Sequence, residues 1–296
     1  MSAETLLSQE LVDRIANLKV RAKGAVEGLR SGVHRSPHRG ASVIFAEHRD
    51  YRPGDDTRLL DWRAFARNDR YTVKHFEQET HLRAQLLLDL SPSMAYGAGA
   101  SEKAGYGATL LSALGLVLLR QGDAVGAMAI TDQVVETLPS RARGDHLDAL
   151  LAFLARTPTP GARTQLQQAL LQVGERLGKR GLLALASDLI DSDPEALRPL
   201  SLLRARGHEV WVFHILHPDE IDFPFDDSAR FFDPESKEEL DADPRAVRAA
   251  YKARIQEFID GRQAQCVAAG CRYILARSDL PAQQVLAGAL GQRGGA

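Results

Sequence analysis

The chain has 296 residues and a mass of 32.4 kDa, room for one large domain or two modest ones, and 44% of it is hydrophobic, which excludes a wholly disordered chain. Lys and Arg total 37 against 39 Asp and Glu, a net charge of −2. So even a balance argues against a nucleic-acid coat and against a polybasic membrane anchor.

The longest uncharged stretch, Ala104 to Leu119, is broken by Gly105, Gly107, Thr109, Ser112 and Gly115. It is too short and too punctuated for a transmembrane segment, which needs about 20 mostly apolar residues. The opening residues MSAETLLSQELVDR lack the basic-then-apolar order of a signal peptide. Cys266 and Cys271 are the only cysteines, too few for a disulfide framework or a four-ligand zinc site. The expectation is a soluble cytoplasmic chain in a reducing compartment.

The chain opens with a predicted helix. Leu11, Ile15, Leu18, Ala22, Ala25 and Leu29 recur every three or four residues, and Ser31-Gly32 ends the stripe. From His34 to Arg83 the composition turns polar, with five of the nine His and the string RDYRPGDDTRLLDWRAFARNDRYTVKHFEQE. That stretch cannot carry its own core and is expected as short strands and turns packed on something larger. AQLLLDL at 84–90 follows as a short strand buried on both faces. Next come a helix over 102–121, strands at 124–130 and 134–138, and helices at 145–155 and 165–177. The series continues with a strand at 181–187, a helix at 194–206, a strand at 209–216, a long helix at 244–269 and a strand at 272–276. The acidic, Pro-punctuated segment 217–240 holds four Phe and is expected outside the sheet. Strands alternating with helices at this spacing give an α/β fold, a doubly wound and mostly parallel sheet. Its ligands belong at the carboxyl ends of the strands, near the reversal of strand order.

Those strand ends carry the chemistry. The first delivers Asp89-Leu90-Ser91-Pro92-Ser93, a carboxylate and two hydroxyls at alternate positions. The strand at 181–187 ends in Ser187-Asp188, and the loop before the helix at 165 offers Thr164. Asp89, Ser91, Ser93, Thr164 and Asp188 are hard oxygen donors, the kind that suits Mg²⁺.

Asp89-x-Ser91-x-Ser93 with a later Thr and Asp resembles the metal-ion-dependent adhesion site of von Willebrand factor type A domains. Tyr51, Pro53-Gly54-Asp55-Asp56, Arg58, Asp61-Trp62, Ala66-Arg67, Lys74, Phe76 and Glu79, followed by LLLDLSPSM, resemble the bacterial domain of unknown function 58 family. The resemblance implies an N-terminal helix plus family-specific segment over 1–83, a type A domain (Rossmann-like) over 84–280, and a C-terminal tail over 281–296. It implies that Ser91 and Ser93 contact a Mg²⁺ (or Mn²⁺ or Ca²⁺) directly, that Asp89 and Asp188 neutralise its charge, and that Thr164 joins when a partner binds. The family usually shows Gly-Gly-Thr-Asp where this chain reads Gly161-Ala162-Arg163-Thr164-Gln165, so Thr157 and Thr159 stand as alternatives. A partner's Asp or Glu would fill the open position. Family members commonly accompany MoxR-type AAA+ ATPases, so the implied role is a non-enzymatic adaptor or co-chaperone acting on an unknown client. Any association with a membrane surface would come through partners.

Other readings compete. Asp55, Asp56, Arg58, Asp61, Trp62 and Arg67 form either a self-neutralising, packed block or a partner-docking face. An Asp89-based, Mg²⁺-dependent hydrolase or phosphotransferase is the enzymatic alternative, although such sites need a second acid where Ser91 stands. No nucleophile elbow, phosphate-cradling glycine loop or HExxH helix is found. His34, His38, His48, His75 and His81 lack matching thiols for zinc. Between 35 and 83 ten basic residues interleave with eight acidic ones, which offers no phosphate-binding face for nucleic acid.

Overall fold

The computed structural model describes residues 9–27, 43–50, 72–78, 82–143, 146–156, 165–178, 180–191, 193–226, 229–232 and 239–291. They fall into two units, Arg35–Leu82 and a larger one made of Met1–His34 with Arg83–Ala296. In the smaller unit β1 (Val43–Asp50) pairs antiparallel with β2 (Thr72–Gln78), with an irregular step between Phe45 and Glu47. Asp55, Asp56, Arg58, Asp61, Trp62 and Arg67 lie outside the described residues, as do Thr157, Thr159 and Thr164.

The larger unit begins with α1 (Gln9–Glu27), whose Leu18, Ala22, Ala25 and Val26 are buried at helical spacing. Then come β3 (Arg83–Asp89), α2 (Lys103–Arg120), β4 (Ala124–Ile130), β5 (Val134–Arg141), α3 (His146–Leu154) and α4 (Leu166–Arg176). They are followed by β6 (Leu182–Ser187), α5 (Arg198–Ala205), β7 (Glu209–Leu216) and the one-turn α6 (Pro218–Asp222). A separate antiparallel pair, β8 (Ala229–Phe232) and β9 (Glu239–Ala242), leads into α7 (Pro244–Ala268), β10 (Arg272–Arg277) and α8 (Ala282–Gly291). The segment 217–240 thus departs from the main sheet as its composition predicts.

The main sheet has six strands in the order β10-β7-β6-β3-β4-β5, parallel except for β5, which turns back antiparallel on β4. Helices cover both faces, the doubly wound arrangement, and this is why Leu86–Leu88 of β3 and Leu182–Ala186 of β6 are apolar on consecutive positions. Leu87, Leu183, Leu185, Val210 and Val212 face one way, into a cluster with α4, α5, Cys266 and Cys271. Both cysteines are free and buried. Leu86 and Leu88 face the other way, under α2, which also packs against α1 and α3.

Helix α2 docks on the sheet without room for side chains at its contact points. A Cβ on Gly107 would lie 2.8 Å from Ile215 Cδ1 of β7, and one on Gly115 would lie 3.1 Å from Leu86 Cδ1 of β3 and 2.7 Å from Leu150 Cδ2 of α3. This close seating fixes where the first turn of α2 sits over the strand ends.

Residues 282–291, expected as part of a tail, form α8, with Val285, Leu286 and Ala289 buried against α1, α2 and β10. Its Ala, Gly and Gln give little contrast between faces, so periodicity alone does not mark it. The N-terminal helix also divides differently from the expected 1–83 block, grouping with 83–296 rather than with 35–82. Among the described residues no helix is long and apolar enough to cross a membrane.

Overpacking should discriminate between the glycines of α2. Gly107→Leu is expected to destabilise the chain by about 1–3 kcal/mol in urea unfolding. Gly105→Ala, whose new Cβ meets only Glu102 at 3.5 Å, should be neutral or stabilising by up to about 1 kcal/mol.

Candidate functional site

The strand order reverses at β3. From it β4 runs one way and β6, β7 and β10 the other, so a crevice opens between the carboxyl ends of β3 and β6. Parallel pairing of Leu88 with Ala186 brings Asp89 and Ser187 side by side at its mouth.

Asp89 is buried and accepts two hydrogen bonds. Its Oδ1 takes the Ser91 N–H at 2.8 Å, a tight local turn, and its Oδ2 takes the Ser187 hydroxyl at 2.6 Å. The turn points Ser91 and Ser93 the same way, their hydroxyl oxygens 3.1 Å apart, and Pro92 opens the short 3₁₀ turn Pro92–Ala95 that holds them. Both serines are buried. Asp89, Ser91 and Ser93 therefore converge on one spot, as expected from their alternation.

Asp188 is placed beside them, but its charge is already answered. Its Oδ2 accepts from Lys103 Nζ at 2.8 Å, and Lys103 Nζ also donates to Glu220 Oε1 at 2.7 Å. The Lys103 side chain is 1% exposed and that of Asp188 0%. Burial alone would pull the ammonium down, but the two carboxylates more than offset it and hold its pKa above the ordinary lysine value. Asp188 was expected to neutralise a metal; in the structure it faces an ammonium.

The backbone is bent to make that contact. Leu189, buried, sits at φ 55°, a left-handed conformation that costs a non-glycine residue about 1 kcal/mol or more. It is held by its own N–H donating to Ser187 Oγ at 3.0 Å and by the Ile190 N–H donating to Asp188 Oδ1 at 3.2 Å.

Glu220 is held as firmly. Its Oε2 accepts the His217 N–H at 2.7 Å, while His217 Nδ1 accepts the Asp219 N–H at 3.2 Å, a reciprocal cap on α6. Across the crevice Tyr96 donates its hydroxyl to Asp219 at 3.2 Å, and His217 Nε2 meets the Ser101 hydroxyl at 3.3 Å. The loop after Ser93 and the loop after β7 are zipped together over the strand ends.

The electrostatics of the cluster are lopsided. Burial, and then the charge of Asp188, push Asp89 up to about 7; the bonds from Ser187 and Ser91 pull it back only in part. His214, paired with Ser187 across β6 and β7, is pushed down to about 4 by burial and supplies no compensating charge at neutral pH. The crevice thus holds more negative charge than Lys103 answers. A divalent cation fits that deficit, with Asp89, Ser91 and Ser93 as its hard oxygen donors and Asp188 acting only at a distance through Lys103. No group of three or more His, Cys, Asp or Glu placed to hold a metal occurs among the described residues, so this cluster depends on hydroxyls.

A family model described as protein of unknown function DUF58 matches residues 47–258. The chain belongs to this family. Uncharacterized proteins of Mycobacterium tuberculosis and Mycobacterium bovis are 27% identical to it over 217 residues, 73% of this chain and 68% of theirs. Among solved structures it is similar to BatB from Bacteroides thetaiotaomicron, with 15% identity, a TM-score of 0.46, and 71% of this chain and 98% of that one covered. An aerotolerance-related membrane protein from Bacteroides fragilis gives 17% identity and a TM-score of 0.44 over 71% of this chain and 97% of that one. Neither the DUF58 description nor the mycobacterial relatives name an activity.

Sequence reasoning named Ser187 at its strand end without giving it a role, and missed Lys103 and Glu220. Lys103 did leave a signal: a lone cation opening a helix sits against the macrodipole, and it immediately precedes the longest uncharged run. Such a residue asks for a carboxylate, and here it has two.

Two outcomes follow for the metal-free chain. Lys103→Met leaves two carboxylates facing each other and should cost about 3–5 kcal/mol in denaturant unfolding. In chelator, the folded state keeps a proton on Asp89 that the unfolded chain releases near 3.8, so stability should fall as pH rises from about 4 to about 7. Asp89→Asn should remove that part of the pH profile, as read by thermal unfolding across the range.

Proposed function

We propose that the chain is a non-enzymatic interaction module, a type A-like domain whose Asp89, Ser91 and Ser93 hold Mg²⁺ (or Mn²⁺ or Ca²⁺) and present it to an acidic side chain of a protein partner. The observation that carries this reading is the convergence of one buried, undercompensated carboxylate and two buried hydroxyls at the reversal of strand order. When bound, the metal would supply the positive charge that the partner's carboxylate seeks. Thr164 completes the proposed set, with Thr157 and Thr159 as its alternatives.

The partner we propose is a MoxR-type AAA+ ATPase, with this chain as its cytoplasmic adaptor or co-chaperone toward a client protein. The support is the family block between Tyr51 and Glu79 together with membership in DUF58. In the same proposal Asp55, Asp56, Arg58, Asp61, Trp62 and Arg67 are the second docking face.

A hydrolase or phosphotransferase using Asp89 is the weaker reading. Both oxygens of Asp89 already accept hydrogen bonds, and the position two residues on, where a general acid would stand, is Ser91.

Titration calorimetry with Mg²⁺ and Mn²⁺ tests the metal. Ser91→Ala should weaken binding on the order of tenfold or more, since it removes one charge-assisted contact; unchanged affinity would sink the assignment. Pull-down from native lysate by wild type and by Asp89→Ala, Ser91→Ala, with Mg²⁺ and with chelator, tests the partner. An AAA+ ATPase recovered only by wild type with Mg²⁺ is the expected result, and its absence from every sample would refute the partnership.

A further inference from the structure

Beside the Asp89, Ser91 and Ser93 cluster, a groove of about 560 Å³ runs between the carboxyl ends of β6 and β7 and the helix α7. Ile190, Leu216, Tyr251, Ile255 and Phe258 line it, with Glu220 among them. Its walls are apolar or aromatic, and Ile190 is 38% exposed, a large apolar side chain left facing solvent two residues after Asp188. At the rim the exposed Arg254 and Glu257 pair at 3.0 Å, so the entrance is polar without a strong net charge.

The groove and the cluster share their walls. The Ile190 N–H donates to Asp188 Oδ1 at 3.2 Å, so the lip of the groove is fastened to the acidic site. Glu220 lines the groove and at the same time holds Lys103, which holds Asp188. The Tyr251 hydroxyl donates to the Glu220 carbonyl at 2.9 Å, and the Tyr251 ring packs on Phe223 with centroids 4.3 Å apart. The wall is therefore fixed in place by the same residues that shape the crevice.

We propose that this groove is the second half of the recognition site: it takes a bulky apolar side chain from the same partner segment whose Asp or Glu reaches the Asp89, Ser91 and Ser93 cluster. The inference rests on reading that cluster as a carboxylate-binding centre. Charge selects the occupant. A crevice that binds a cation attracts an acidic residue, while a near-neutral rim and apolar walls beside it favour an aliphatic or aromatic neighbour over a second charge. The partner class is thus a polypeptide segment with an acidic residue close to Leu, Ile, Met, Phe or Trp.

The test is selection of a displayed library of short linear peptides, each with one fixed Asp and every other position random, on the full chain in Mg²⁺. Enriched peptides should carry a bulky apolar residue at a constant spacing from the Asp. Ile255→Asp and Ile190→Asp should each weaken the synthetic consensus peptide by about tenfold or more in fluorescence anisotropy, and Ser91→Ala should abolish its Mg²⁺ dependence. Unfolding curves establish that the variants fold; Ile190→Asp, at an exposed position, keeps the test valid should Ile255→Asp fail to. Enrichment around Asp with no apolar preference, unmoved by the groove variants, overturns the groove and leaves the carboxylate reading standing. An apolar consensus that binds equally well to Ser91→Ala and in chelator overturns the coupled site through failure of the carboxylate reading. Sedimentation showing a dimer that Ile255→Asp dissociates assigns the groove to a second copy and overturns the proposal, as does a library with no enriched peptide.

Discussion

A buried ammonium cannot hold its charge alone, and Lys103 makes three parts of the fold answer for it. The residue opens α2, Asp188 follows β6, and Glu220 lies in the single turn after β7. These elements are far apart in sequence and meet only because the parallel sheet brings its carboxyl ends to one edge. Buried ion pairs of this kind contribute little net stability over a well-packed apolar replacement, yet losing one member is costly. Their effect is to forbid other arrangements. With Lys103 seated, the loops after β6 and β7 have one mutual placement.

The placement determines what the crevice offers. Lys103 engages Asp188 and Glu220, leaving Asp89 as the carboxylate whose charge nothing nearby matches. The hydroxyls of Ser91 and Ser93 then stand beside an acid that prefers to keep its proton near neutrality unless a cation arrives. A site that used all of its carboxylates on the metal would bind it more strongly. In the proposed reading this crevice gives up part of that affinity for a fixed frame, because Asp188 is engaged by Lys103 rather than by a metal.

Much of this was legible beforehand, for physical reasons. Apolar runs as short as 84–90 and 181–187 are the length of strands covered on both faces rather than of helices, and their alternation with helical stripes leads to a doubly wound sheet. The Asp89-x-Ser91-x-Ser93 spacing likewise puts a carboxylate and two hydroxyls on one side of a tight turn. What sequence could not give was pairing across long separations: Lys103 with Asp188 is a contact over 85 positions, and Glu220 reaches across 117. Nor did composition reveal α8, whose small residues pack closely without an obvious polar face. The antiparallel direction of β5 was equally invisible, since a strand's pattern says which face is buried and not which way it runs.

Leu189 adds a backbone constraint to the crevice. Its left-handed backbone makes the turn after Asp188 a matter of torsion rather than of side-chain rotamer, and its buried side chain anchors that torsion in the core. Glycine would accept the torsion freely but surrender the anchor. The position of one leucine in the core therefore governs the reach of a buried carboxylate toward the Lys103 ammonium.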